Sequence, residues 1–436
     1  MAERRFRVSP MKKVLIISHN PVSTQSNMGK TFVSLFSQFP KDALCQLYIY
    51  PTVPNMDKCD AYFRITDKEI LNRILKGKSV GTSISPAKIG EEQGMFEDAS
   101  DESLYRSRKN KSPLRRLLRD AMWRMVRWYT PQLQQWLDAQ QPGCIFVAPG
   151  VAKFLYSIAL KIARERNIPI VTYICDEYYF VKRPKFGLDR LRLSLLQGKI
   201  RQLMAHTTHL VVISRELQDA YQGTFGVPTT VLMTGASQNA SDAVKNTAAP
   251  NSICYFGNIR CNRFVSLGQI GQVLDRINKQ RGTDYKLKIY SAEKDEEILE
   301  GLRRHKSVEL CGFVTGAAYD SAFAQAQLLL HTEAFDEASV DFVQHSVSTK
   351  IADSLASGIP LLAYGPAGIS SMQHLLRNDC AITATSEEQL QQMLEQGFDD
   401  AARRAHVAAN GLAVAKTWHD SRRVSLELQS IMEQAC

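Results

Sequence analysis

The stretch HSVSTKIADSLASGIPLLAYGP, His345 to Pro366, sets a short helix directly before a glycine, a proline and a strand. At helical spacing Ile351, Ala352, Leu355 and Ala356 share one face, while Ser346, Lys350 and Asp353 share the opposite one. Gly358 ends the helix and Pro360 prevents its return. Ile359 to Ala363 is too short and too apolar for a surface helix, and reads as a parallel strand buried on both faces. The N–H groups of the helix start, with the Ser346, Ser348 and Thr349 hydroxyls and the Lys350 ammonium, make an electropositive pocket suited to phosphate. Asp353, one turn on, suits sugar hydroxyls. The same spacing also fits a capped surface helix whose Lys–Asp pair is worth only about 0.2–0.5 kcal/mol.

Lys350, Asp353, Gly358 and Pro360 resemble the K-x-x-E-x-x-x-x-G-x-P signature of the nucleotide-sugar-binding domain of GT-B glycosyltransferases, in particular family 4-like enzymes of bacterial polysaccharide assembly. The resemblance implies an α/β chain of two Rossmann-like doubly wound domains facing each other across a cleft. It puts Asp353 where the family has a ribose-binding Glu, and His345 where it has a second Glu near the donor sugar. A substitute carboxylate lies just past a predicted strand, Gln327 to His331, where Glu333, Asp336 and Glu337 follow. Because open α/β sheets bind ligands at the carboxyl ends of their strands, Glu333 is the candidate for the sugar contact. The loop Ala334 to His345 is longer than the family's spacing and is a candidate for donor specificity.

A second resemblance starts at Ser252 to Phe256, a predicted strand running into Gly257, Asn258, Ile259, Arg260 and Arg263. It is similar to the family's G-x-L-x-x-x-K-G loop, with Arg263 at the basic position. A glycine lets backbone approach a diphosphate, and a guanidinium takes its oxygens bidentately. Donor-binding candidates are therefore Gly257, Asn258, Arg263, Glu333, Ser348, Thr349, Lys350 and Asp353, and the catalytic candidates are Arg263, Lys350 and Glu333. A surface Arg on an ordinary turn and a polar loop after the strand are the alternative readings of the two places.

At 436 residues the chain is long enough for two domains, and its 44% hydrophobic and 22% charged content is ordinary for a globular enzyme. The nine cysteines are scattered and lack a CxxC pair, so neither a disulfide framework nor a zinc site is expected, and a reducing cytoplasm is. No run approaches the roughly 18 apolar residues of a membrane-spanning helix. No cofactor or metal is expected, since the nucleotide-sugar is a substrate.

Alternating strand and helix patterns imply parallel sheets. Predicted strands lie near Val14 to Ser18, Leu44 to Tyr50, Cys144 to Ala148, Ile168 to Ile174, His209 to Ser214 and Thr229 to Met233. After a stretch of small and polar residues, others follow at Ser252 to Phe256, Lys286 to Tyr290, Val308 to Leu310, Gln327 to His331, Ile359 to Ala363 and Ala381 to Ala384. The expected division is an acceptor-binding domain over 1–236, a linker over 237–251, a nucleotide-sugar domain over 252–416, and a final segment, 417–436, crossing back to the first. Acceptor-binding candidates are Asn27 and Gly29, which resemble the family's glycine-bearing turn before the first helix, and Asp176 and Glu177, which follow a strand and precede Tyr178-Tyr179-Phe180. Gly29-Lys30-Thr31 also suggests a P-loop, but the required earlier glycine falls at Thr24.

Leu114 to Trp128 reads as an amphipathic helix with Leu114, Leu117, Leu118, Ala121, Met122 and Met125 on one face. Arg115, Arg116, Arg119, Arg124 and Arg127 crowd the other face, with Trp123 among them. Such a helix suits an anionic bilayer, and equally the core of the first domain with a solvated basic face. A net charge of +10 points to anionic partners: a nucleotide-diphosphate sugar, a saccharide or polyprenyl-linked acceptor, or phospholipid. Nucleic acid is not expected, since no helix-turn-helix, zinc-finger or RNP-type motif is present. The reading is a cytoplasmic, peripherally membrane-associated glycosyltransferase. A nucleotide-sugar epimerase and a catalytically silent nucleotide-binding scaffold are the alternatives.

Overall fold

Apolar runs punctuated by helical patterns form two separate, mainly parallel sheets in the computed structural model, which describes residues 12–23, 27–54, 57–84, 113–181, 187–236 and 251–436. Chain contacts divide the protein into two units, Met1–Leu232 with Arg422–Cys436, and Met233–Ser421. The expected linker lies almost wholly outside the described residues, as does the polar stretch before the Pro113–Met125 helix.

In the first unit the strands are β1 (Val14–Ser18), β2 (Leu44–Tyr48), β3 (Ala61–Arg64), β4 (Thr82–Ile84), β5 (Cys144–Ala148), β6 (Ile170–Ile174), β7 (Thr207–Val212) and β8 (Thr229–Val231). Their order is β4-β3-β2-β1-β5-β6-β7-β8. β1, β2, β5 and β6 are buried along their whole length, as strands covered by helices on both faces must be. β3 and β4 are additions to the sequence reading. β4 pairs antiparallel to β3, so this edge departs from the all-parallel expectation. Both are too short to carry a periodic signal, and β3 ends in the polar Arg64.

The second unit holds β9 (Ser252–Phe256), β10 (Lys286–Tyr290), β11 (Val308–Leu310), β12 (Leu328–Thr332), β13 (Leu361–Tyr364) and β14 (Ile382–Ala384), all parallel. Their order, β11-β10-β9-β12-β13-β14, reverses direction between β9 and β12. In doubly wound sheets that reversal opens a crevice at the carboxyl ends of the two strands.

Three expectations for the first unit are corrected. Gly29 lies inside the Asn27–Leu35 helix rather than in a turn before it, and the residues at 24–26 are outside those described. The Pro113–Met125 helix is not divided as its spacing suggests: Trp123 is 1% exposed and Arg119 half-buried, while Leu114, Leu118 and Met125 point outward along with Arg115 and Arg124. Trp123 stacks on Phe154 at 4.2 Å between centroids, and its Nε1 donates to Asp67 at 2.7 Å. Arg119 donates to the same carboxylate at 2.9 Å and lies 4.8 Å over the Phe154 ring. A paired guanidinium and an indole with a partner for its N–H bury more surface than the leucines of the opposite face, and they decide the orientation.

The third correction concerns cysteine. Cys144, at the start of β5, forms a disulfide with Cys436, which ties the end of the Ser421–Ala435 helix to the first unit's sheet. The cysteine count is therefore no argument for a reducing compartment. Ser425 of the same helix accepts from the Gln38 backbone at 2.9 Å. Losing the bond is expected to cost about 2–4 kcal/mol, the usual range for a disulfide. Thermal melts of the wild type and Cys436→Ser without reductant should differ by several degrees, and reductant should close the gap. Identical melts would mean that the bond does not form.

Candidate functional site

The two stretches singled out by sequence meet at the reversal point of the second sheet. β9 delivers Gly257 and Asn258 at its carboxyl end, and its neighbour β12 delivers Glu333. Tyr255 donates from its hydroxyl to the Asn258 carbonyl at 2.8 Å, and Asn258 Oδ1 accepts from the Arg260 backbone at 2.8 Å. Cys261 and Asn262 both adopt left-handed backbone, with φ 55° and 56°, which turns the chain so that a helix begins at Arg263. A Cβ at Gly257 would come within 3.2 Å of Lys350 Cε and of the Tyr255 hydroxyl. Any larger residue at 257 would have to push the end of the Lys350 side chain aside, so glycine lets Lys350 lie over this backbone.

Lys350 stands in the first turn of the Thr349–Ala356 helix. Ile351, Ala352 and Leu355 bury its inner face, Ser348 is the N-cap residue, and Gly358 adopts left-handed backbone with φ 71° just beyond the end. Ser348 and Thr349 are half-buried. Asp353, on the outer face, lies near Tyr319, whose hydroxyl pKa is raised by burial and then by the Asp353 charge. Tyr319 packs edge-on to Phe256, the last residue of β9.

Arg263 and Glu333, both candidates for the donor, bind each other. Arg263 Nε donates to Glu333 Oε2 at 2.7 Å and Nη2 to Oε1 at 2.9 Å, a bidentate pair with the Glu333 side chain only 6% exposed. Glu333 is fastened further by its backbone. Its N–H donates to the Tyr364 carbonyl at 3.0 Å, and its own carbonyl accepts from Ser266 Oγ at 2.9 Å. The geometry therefore makes Glu333 the anchor of Arg263, and both carboxylate oxygens are engaged in doing so.

Two more links join the loops around this pair. Arg260 takes Glu293, after β10, bidentately at 2.8 and 3.2 Å, and that hydrogen bonding holds the Glu293 pKa down to about 2. Asn262 donates to Asp336 at 3.0 Å, and Asp336 in turn caps the Glu337–Val343 helix through the Ser339 N–H at 3.0 Å. The segment Ala334 to His345 thus contains a short helix pinned to the β9 loop, and His345 is half-buried beyond it.

His331 was not singled out by sequence, although it lies two residues before Glu333 and so shares its face of β12. It is buried, with Nε2 4.0 Å from Glu333 Oε1. Burial lowers its pKa to about 4, with Arg263 and Lys350 acting in the same direction against Glu333. At neutral pH His331 is a neutral ring among charges.

The acceptor candidates of the first unit are not gathered in this way. Glu177 Oε1 accepts from the Tyr179 and Phe180 backbone at 2.6 and 2.7 Å, so it caps its own turn. Asp176 accepts from the Tyr178 hydroxyl at 3.2 Å. Tyr179 and Phe180 both pack against Tyr221, with Phe180 still exposed on its outer side. Gly29 is buried in its helix, and nothing is described of the Asn27 side chain. Among the described residues no group of His, Cys, Asp and Glu is arranged to hold a metal ion.

Compared by sequence, the chain matches no family model and no curated protein. Solved structures resemble it closely in fold. HepE from Anabaena, determined with UDP, superposes with a TM-score of 0.61 over 97% of this chain and 100% of its own, at 11% identity. A UDP-forming α,α-trehalose-phosphate synthase from Burkholderia vietnamiensis gives 0.59 over 97% and 100%, at 10% identity. WaaG, a glycosyltransferase of lipopolysaccharide biosynthesis, gives 0.55 over 96% and 99%, at 13% identity. The chain has the GT-B fold of these glycosyltransferases, built from two Rossmann-like α/β units.

Breaking a buried ion pair from one side leaves an uncompensated charge, whereas replacing both partners removes the problem. Arg263→Met and Glu333→Leu are each expected to destabilise the second unit by about 3–5 kcal/mol, and the double variant by much less. Urea unfolding of the four proteins measures this, and additive losses would contradict the coupling. The lowered His331 pKa adds a pH dependence. The unfolded chain, near pKa 6.5, takes up the proton first, so this contribution is whole above about pH 6.5 and is lost as pH falls towards 4. His331→Phe should flatten the stability profile in that window.

Proposed function

We propose that the protein is a glycosyltransferase that binds a nucleotide-diphosphate sugar at the β9/β12 crevice and passes its sugar to a saccharide acceptor. The observation that carries this reading is the position of Lys350 over Gly257 beside the anchored Arg263. A backbone stripped of side chain at the mouth of a parallel strand, with two cations aimed by other elements, is the arrangement a diphosphate requires. The fold supports the reading, since HepE was determined with UDP and, separately, with UDP-glucose.

In this mechanism the diphosphate leaves with its bonding electron pair as the glycosidic carbon departs. Lys350 and Arg263, preorganised before the substrate arrives, meet the charge that develops on the leaving oxygen. Glu333 positions Arg263 and does not contact the sugar. Asp353 takes the ribose hydroxyls, one carbon shorter than the family's Glu and therefore reaching less far. Transfer proceeds with retention and without a protein base: the acceptor hydroxyl oxygen bonds to the anomeric carbon on the face from which the diphosphate leaves, and its proton passes to the departing diphosphate oxygen. The acceptor is a saccharide, lipid-linked in surface polysaccharide assembly, consistent with WaaG among the similar folds.

Removing one charge-assisted hydrogen bond costs about 1.5–3 kcal/mol, or roughly ten- to a hundredfold in Kd. Calorimetry with UDP and GDP should show binding of one of them by the wild type, weakened by that factor in Lys350→Ala with an unchanged melting temperature. No heat with any nucleoside diphosphate would overturn the reading.

A further inference from the structure

The outward leucines of the Pro113–Met125 helix do not stand alone. Two helices pack against it, Asp67–Lys76 and Leu188–Met204, and both also turn apolar side chains outward. Leu71, Ile74 and Leu75 project from the first, Leu114, Leu118 and Met125 from the middle helix. Leu188, Leu191 and Leu195, at spacings of three and four, project from the last while Leu193, Leu196 and Ile200 face inward. These nine side chains are 39–69% exposed, and they are half of the eighteen large hydrophobic residues exposed among the described residues. Isolated exposed leucines are normal on any surface, but nine on three adjoining helices form a patch.

Charge says what covers the patch. Arg73, Lys76, Arg115, Arg124 and Arg190 are exposed on the same helices. The acids there are engaged, Asp67 with Arg119, Asp120 with Lys153, Asp189 with Arg192, and Glu69 with the Thr66 backbone and the Thr82 hydroxyl. In the seam between the last two helices Arg116 is half-buried, and after burial itself the Arg192 guanidinium is what most disfavours its charge. Leucine ridges flanking mutually repelling cations need an anionic, partly apolar partner. A second copy of the chain would set cation against cation across a twofold interface.

We propose that this three-helix face of the first unit docks on an anionic phospholipid bilayer, with the leucines in the acyl boundary and the arginines at the headgroup phosphates. The inference stands apart from sugar transfer. The full chain, without nucleotide or sugar, should sediment with vesicles containing phosphatidylglycerol, and bind them at least tenfold more weakly when phosphatidylcholine replaces the anionic lipid or salt is raised. Leu118→Asp with Leu191→Asp should lose at least tenfold in partitioning while circular dichroism and melting temperature stay unchanged. Absence of sedimentation with anionic vesicles, a double variant that binds like the wild type, or a wild-type dimer that the double variant converts to monomer would each overturn the proposal.

Discussion

The ion pair between Arg263 and Glu333 is the constraint on which the second unit's site depends. It spans the two strands where the sheet reverses order, and it is nearly withdrawn from water. Desolvating two charges is costly, so such a pair persists only with good geometry and further hydrogen bonds around it. Here both guanidinium-to-carboxylate bonds are formed, and Ser266 and Tyr364 hold the Glu333 backbone. The consequence is rigidity at the crevice mouth. Arg263 reaches its position through an anchor that is itself anchored, and the nitrogen not engaged by Glu333 is Nη1. His331 belongs to the same economy of charge, because a neutral ring beneath two cations adds no third positive centre.

The loops after β9, β10 and β12 are joined by side chains of opposite charge or complementary polarity, and no helix is needed to hold them. Arg260–Glu293 and Asn262–Asp336 start from the same turn that precedes Arg263 and reach the loops after β10 and β12. The first is exposed on its Arg side and contributes little net stability. Its role is geometric, since Glu293 also accepts from the Lys294 and Asp295 N–H groups and so fixes the course of its own loop.

Much of this architecture was legible in the chain because buried parallel strands are continuous apolar runs ended by turn residues. Val14–Ser18, Cys144–Ala148, Ser252–Phe256 and Lys286–Tyr290 fall where the pattern put them. Gly358 ended its helix for the backbone reason its type suggested. What could not be read was partnership. Nothing in a linear pattern says that Arg263 and Glu333, 70 positions apart, would neutralise each other, or that Cys144 would meet Cys436 across 292. The helix at Pro113–Met125 misled for the same reason: Arg119 and Trp123 looked solvated until Asp67 and Phe154 supplied partners that made burial favourable.

The spent carboxylate at Glu333 also changes what His345 means. Had Glu333 been open, it would have replaced the acid that the family resemblance places at 345, and the histidine would be incidental. Glu333 instead gives Arg263 one acceptor site from each of its oxygens and is held in place by doing so. In the segment that follows, Asp336 ties the short helix to the β9 loop and His345 comes after it. An imidazole both donates and accepts according to its tautomer, so it can bind a sugar hydroxyl without adding negative charge next to a diphosphate.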